Sequence, residues 1–427
     1  MKYVINKGRT LLVDGPASVS LLSGMVNVLG APLQIEKNLV VRVGKRLPFW
    51  GKKRATVELM LGDGASITEV EDGSVLSSWE DIAEQLLSLD KPVTVTVMGG
   101  VDSGKTSFCT FLVNSALKKK LKTGIIDADL GQSDVGPPST VGFSFVDETV
   151  TDLFEIDAQY AVFVGSTSPS EAIRKIIAGL TCLKEKIIAS CVDFLVINTD
   201  GWVEGEEAST YKIRLAKTVS SSAVVGLQKE CELNPIVDSL DGERVLVIDS
   251  PQLIQPRSRE IRKLLRELSY KKYMKGAKLQ SFSLGWVKVR NSLLGAGGPM
   301  NRNRLAALSK LLRVKPVYSE ENIVAILVVL NKSDDVTEMQ INAVEQYFGK
   351  RVKVIHEADE EGLLVGLNDE GDNFLGIGVL HEVDYKRKTL KIYTPVSEKV
   401  DKLCFGQIKL DKNFRETGLT TVYSVTL

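Results

Sequence analysis

The chain has 427 residues, too many for one ordinary core, so two or three domains are expected, each with its own apolar centre. Lys plus Arg and Asp plus Glu balance at 54 each, which excludes a net field able to draw polyanions to the whole surface; any nucleic-acid contact must come from local clusters. Five scattered cysteines (Cys109, Cys182, Cys191, Cys231, Cys404) without a C-x-x-C pair, and only two histidines, argue against a disulfide framework or a zinc site and point to a reducing compartment.

The N-terminus, Met1 to Lys7, lacks the apolar run of a signal peptide, and no charge-poor stretch is long enough to span a bilayer. The expected location is cytoplasmic, or nuclear or nucleolar in a eukaryotic source, with no membrane partner. Residues 1–90 alternate short apolar runs such as Leu11-Leu12-Val13 and Val40-Val41 with Gly, Asp and Pro turns, the pattern of an all-β domain, followed by a short helix over Trp79–Ser88. Residues 91–278 alternate strands with helices. The strand-like runs are Thr94–Met98, Gly124–Asp127, Ala161–Gly165, Phe194–Asn198, Ser222–Gly226 and Arg244–Ile248. This alternation predicts a mostly parallel, doubly wound α/β sheet that places ligands at the carboxyl ends of its strands. Residues 279–427 return to β-like segments, Phe282–Val289, Ile323–Val329, Val352–Ile355, Leu375–Val383 and Thr389–Thr394, with helices predicted over Arg302–Leu312 and Glu338–Phe348 and a loop over Gly295–Pro299. That pattern reads as a C-terminal β-rich α+β domain.

Directly after the Val93–Met98 run stands Gly99-Gly100-Val101-Asp102-Ser103-Gly104-Lys105-Thr106, then Ser107 and a helix-compatible stretch to Lys119. Strand, spacing and helix together define a phosphate-binding loop. Its backbone N–H groups and helix N-terminus cradle a polyphosphate, Lys105 reaches the terminal phosphates and the Thr106 hydroxyl can hold magnesium. The lysines at 118–120 and 122 read as a solvated face.

About twenty residues further on, Asp127-Ala128-Asp129-Leu130-Gly131-Gln132 places two carboxylates beside the phosphate site. Each can hold magnesium, or deprotonate and orient an attacking hydroxyl; turn formation and helix capping are the structural alternatives. Asn198-Thr199-Asp200-Gly201-Trp202 closes another strand, where the tryptophan is either core or a stacking surface. From Pro256 a helix opens with Arg257, Arg259, Arg262 and Arg266. The spacing puts Arg259, Arg262 and Arg266 on one face, which is either a solvated surface or a lid that neutralises phosphoryl charge.

Together, the phosphate loop, the D-x-G-Q element Asp129–Gln132, the N-T-x-G-W element Asn198–Trp202 and the arginine-bearing segment from Arg257 resemble the polynucleotide 5′-hydroxyl kinase family along the whole chain. The family includes kinases of pre-mRNA cleavage and ribosomal-RNA processing and archaeal relatives. The resemblance implies a P-loop core between an N-terminal β-domain and a C-terminal β-rich domain. It implies transfer of the γ-phosphate of ATP, or another nucleoside triphosphate, to the 5′-hydroxyl of RNA or DNA, with Mg2+ required. Carried over by residue, Lys105 stabilises the transferred phosphoryl group, Asp129 is the base, and Arg257 and Arg262 are lid arginines. Residues 99–107 hold the nucleotide, with Thr106, Asp127 and Asp129 for the metal, while Gln132, Trp202 and Arg266 face the substrate. Processing nucleases or ligases are the implied partners. Asp200 stands where other members often carry an uncharged residue, and either joins a magnesium shell or bonds a neighbouring turn. Two other classes fit the same residues, a nucleotide-locked scaffold for an RNA-processing assembly and a small-molecule P-loop kinase or ligase.

Overall fold

The computed structural model describes residues 1–71, 74–188, 190–251, 254 and 256–423. The chain divides into two compact units, Met1–Val164 with Ser168–Arg266, and Gly165–Thr167 with Glu267–Leu427.

The first unit begins with a seven-stranded antiparallel sheet. Its two longest strands, Ala17–Val28 and Arg46–Leu61, pair along most of their length. Alternating residues Val19, Leu21, Leu47, Phe49, Val57 and Leu59 point inward, the period-two pattern of a sheet with one wet face. Helix Ser74–Leu87 follows, starting earlier than the sequence suggests. Its Trp79 meets Phe108 and Phe111 at ring-centroid distances of 5.2 and 5.7 Å, so the N-terminal sheet and the α/β core share one apolar cluster.

A second seven-stranded sheet forms that core, in the order Tyr160–Phe163, Thr140–Val146, Thr123–Ala128, Phe194–Thr199, Val93–Gly99, Ala223–Gln228, Val245–Asp249. The last five run parallel, and Thr140–Val146 is antiparallel to its neighbour. That antiparallel strand is absent from the pattern of parallel strands read along the sequence. The phosphate-loop strand Val93–Gly99 lies between Phe194–Thr199 and Ala223–Gln228, with Thr123–Ala128 one strand further out. The three motifs therefore leave the sheet side by side.

In the second unit the sheet Gly298–Pro299, Tyr318–Glu321, Ala325–Leu330, Arg351–His356 is covered by helices Arg302–Leu312 and Glu338–Phe348 through Leu308, Leu312, Val344, Ile326, Val328 and Leu330. Its other side, with Leu327, Val329 and Ile355, packs with a seven-stranded sheet that contributes Val365, Leu380, Ile392 and Phe405. The expected strand Phe282–Val289 is two strands, Lys278–Ser283 and Lys288–Arg290, because a turn in which Trp286 N–H donates to the Ser283 carbonyl sends them to different partners. Strands Leu363–Asn368 and Lys402–Leu410 were not expected, and Gly298–Pro299, read as loop, pairs with Glu320–Glu321. None of the five cysteines is in a disulfide, and among the described residues no helix is long and apolar enough to cross a membrane.

Candidate active site

The chain leaves the buried Val93–Gly99 strand through a loop in which Asp102 and Gly104 adopt left-handed φ values of 53° and 93°. Gly104 precedes helix Lys105–Lys118 without a side-chain cap, so the first-turn N–H groups are left to a ligand. Lys105 is 7% exposed, and its Nζ donates to the Gly100 carbonyl at 2.6 Å. Burial pulls its pKa down to about 8; Asp129 opposes that shift and Lys212 reinforces it. The Ser103 hydroxyl is buried in the loop without a partner.

Asp127 ends the next strand and is fully buried. Its Oδ2 accepts the N–H groups of Asp134 and Val135 at 2.7 and 3.2 Å, and its Oδ1 accepts Asp129 N–H and Asn198 Nδ2, both at 3.1 Å. With both oxygens engaged, Asp127 latches the 129–135 loop. Burial, then Asp129 and Asp134, push its pKa up to about 7 against the pull of those N–H groups. Asp129 uses Oδ1 to accept the N–H groups of Gly131 and Gln132 at 3.1 and 2.9 Å, a turn that holds the carboxylate at the strand end. Burial and Asp200 raise its pKa, while Lys105 counters them.

The neighbouring strand places Asn198 opposite Asp127 and Thr199 opposite Ala128, then turns through Asp200-Gly201-Trp202. A side chain at Gly201 would lie 2.8 Å from Val101 Cα and 2.9 Å from its N, so only glycine lets this turn pass against the phosphate loop. Asp200 is bonded locally: Lys212 Nζ stands 3.0 Å from Oδ1, Tyr211 O–H donates to Oδ2 at 2.8 Å, and Oδ1 accepts Trp202 N–H at 2.9 Å. Trp202 is half-buried and stacks on Tyr211, with ring centroids 6.0 Å apart.

The arginine segment closes onto this loop. Asp102 Oδ2 accepts Arg257 N–H at 3.0 Å and Arg262 Nη2 at 2.7 Å, while Arg257 Nε donates to the Gly44 carbonyl at 2.9 Å. Gln132 Nε2 donates to the Arg262 carbonyl at 3.2 Å, and its Oε1 is buried without a partner. Thr106, Gln132, Ser133, Arg257 and Arg266 line one cleft, together with Arg42 and Lys45 from the N-terminal sheet. Arg259, by contrast, is exposed.

Residues 99–276 match the family model described as the mRNA cleavage and polyadenylation factor CLP1 P-loop. A polyribonucleotide 5′-hydroxyl-kinase of Methanocaldococcus jannaschii is 29% identical over 334 residues, covering 77% of this chain and 90% of that protein. Another, from Pyrococcus furiosus, is 29% identical over 343 residues, covering 80% and 94%. Over most of its length the chain is similar to these polyribonucleotide 5′-hydroxyl-kinases. A chain in the solved complex of wild-type Clp1p with Pcf11p has the same fold, with a TM-score of 0.67 at 13% identity over 96% of this chain and 97% of that one.

Several residues at this site escape sequence reasoning. Arg42 binds Asp152 through Nε at 2.6 Å and Asp134 through Nη2 at 3.1 Å, and Lys45 binds Asp134 at 2.6 Å. In sequence these look like solvated charges on a short strand, and 110 positions separate Arg42 from Asp152. Tyr211 and Lys212 carried a usable signal: both fall among the buried positions Ala208, Leu215, Ala216 and Val219 of helix Glu206–Val219, where a lysine demands a partner.

Proposed function

We propose that this protein transfers the γ-phosphate of ATP to the 5′-hydroxyl of RNA. The observation that carries the reading is the departure of three motifs from adjacent strand ends: the phosphate loop with Lys105, the carboxylate of Asp129, and the Trp202 turn packed on Val101. A phosphoryl transition state needs positioning and charge neutralisation more than covalent chemistry. The loop N–H groups and Lys105 hold the β- and γ-phosphates, with the buried Ser103 hydroxyl free to join them. Asp129 accepts the proton of the acceptor hydroxyl, Arg257 and Arg262 neutralise phosphate charge after leaving Asp102, and Trp202, Gln132 and Arg266 face the acceptor strand.

Magnesium fits the residues present. Among the described residues no three His, Cys, Asp or Glu side chains form a self-sufficient metal cage, which suits an ion that takes most of its ligands from phosphates and water. Thr106 and Asp129 would hold it. Asp127, saturated by four donors, serves by fixing the Asp129 loop. Bound there, the ion would supply positive charge to the transferring phosphoryl group. The curated relatives are named for RNA kinase activity, and the Clp1p neighbour was solved with Pcf11p, so an RNA-processing partner belongs to the same proposal.

The test is transfer of labelled γ-phosphate from ATP to a short 5′-hydroxyl RNA with magnesium, with matched DNA alongside. Asp129→Asn should lose on the order of 10²–10⁴-fold in rate while still binding nucleotide. RNA affinity should fall with rising salt. Nucleotide binding by the intact protein with no labelled RNA or DNA would refute the kinase and favour a nucleotide-locked scaffold.

A further inference from the structure

Lys212 is a fully buried lysine, 0% exposed, that the transfer chemistry above does not use. It sits on helix Glu206–Val219 and its hydrogen-bonding contacts go to Asp200: its Nζ lies 3.0 Å from Asp200 Oδ1 and donates to the Asp200 carbonyl at 2.7 Å. Its neighbour Tyr211 donates its O–H to the other Asp200 oxygen at 2.8 Å and lays its ring against Trp202 at 27° and 6.0 Å. The Asp200 Oδ1 also accepts the Trp202 N–H at 2.9 Å. A buried ion pair of this kind contributes little net stability over apolar packing, and its best-attested use is to select one geometry.

The strand end itself is already secured by the Thr199 Oγ1–Val97 carbonyl bond at 2.8 Å, and Gly201 is pinned against Val101. What the knot adds is control of the next residue, the tryptophan. We propose that Asp200, Tyr211 and Lys212 are positioning residues that set the Trp202 indole at the angle needed to stack on the first base of a 5′-hydroxyl RNA. This rests on the reading of the chain as an RNA 5′-kinase. A carboxylate at position 200 thus does its work by hydrogen bonding within the turn, outside any magnesium shell. Stacking on an aromatic ring is a main source of single-strand affinity, so an indole free to rotate should forfeit about tenfold in RNA affinity.

Tyr211→Phe isolates the effect, because it keeps the ring against Trp202 and removes only the O–H donor to Asp200. Binding of a 3′-labelled 5′-hydroxyl RNA is measured by fluorescence anisotropy with magnesium and a non-hydrolysable ATP analogue, and analogue affinity is measured separately. The expected result is an RNA affinity about tenfold weaker with analogue affinity unchanged, and no further loss when Tyr211→Phe is added to Trp202→Ala. An unchanged RNA affinity, an equal loss with and without Trp202, or no RNA binding by the intact protein would each overturn the inference. Phosphate transfer by the intact protein is assayed in parallel. RNA binding without transfer refutes the kinase alone, and the Tyr211→Phe comparison still decides the positioning role.

Discussion

Lys105→Met should stabilise the nucleotide-free protein while destroying phosphate transfer. The lysine is buried with its pKa pulled from 10.5 to about 8, so holding its charge in the fold at neutral pH costs about 3 kcal/mol at ~1.4 kcal/mol per pH unit. Methionine has similar length and removes that cost. It also removes the Nζ–H bond to the Gly100 carbonyl, worth about 1 kcal/mol net, which leaves a gain of about 2 kcal/mol at pH 7. The assay is urea unfolding without nucleotide at pH 7, repeated with saturating MgATP. The intact protein should gain stability from ATP by mass action, and the variant should gain far less. Because the folded-state pKa lies below the unfolded one, the intact protein should also become more stable as pH rises from about 8 towards 10.5, a gain the variant lacks. A Met variant no more stable than the intact protein at pH 7 would refute the argument that the charge is buried at a cost to be recovered on binding phosphate.

The same depressed pKa predicts that ATP affinity weakens as pH rises through about 8, and that Lys105→Arg, always charged, abolishes this alkaline limb in a nucleotide titration even if transfer is poor. Arg42→Ala should destabilise the first unit by roughly 3 kcal/mol or more, seen in denaturant unfolding, because it leaves Asp152 buried with a single cation partner. Burial would raise the Asp152 pKa, but Lys45 and Arg42 overcome it and hold the carboxyl well below the ordinary 3.8. The stability this pair contributes is therefore present above pH 3.8 and lost as pH falls below it, and acid-unfolding curves of the intact protein and Arg42→Ala should converge there. Gly201→Ala drives a methyl into Val101; overpacking of this kind costs ~1–3 kcal/mol, and the strain falls on the phosphate loop. ATP affinity should drop about tenfold or more, read by equilibrium binding, since ~1.4 kcal/mol is a factor of ten.

Helices Arg302–Leu312 and Glu338–Phe348 were legible to the residue because their ends are written locally. Asn301 caps one, accepting from Arg304 N–H, while Thr337 and Gln340 form a capping box on the other and Gly349 ends it in a left-handed conformation. The phosphate loop was legible for the same reason: glycine spacing, a preceding strand and a following helix are contiguous in sequence. The break inside Phe282–Val289 was not, because continuous β propensity does not say where two halves find different partners. Nor did the run Thr140–Val146 reveal that it would pair antiparallel, since strand direction is settled by the return path of the chain.

For the site, the order of motifs along the chain carried the resemblance to RNA 5′-kinases, the parallel core and the identity of the phosphate loop, all properties of short contiguous segments. Tertiary structure alone decided which partners each charge meets. Two aspartates two positions apart look equivalent in sequence, yet Asp127 is saturated by N–H groups from Asp134, Val135 and Asn198, and Asp129 stands at the strand end. Asp102 looks like a loop residue for phosphate and instead holds Arg257 and Arg262, residues about 155 and 160 positions away. Asp200, which sequence leaves open between a magnesium shell and a turn bond, is taken up by Lys212 and Tyr211. A carboxylate's role depends on which donors reach it and how much water they displace, and that depends on chain segments brought together only when the sheet closes.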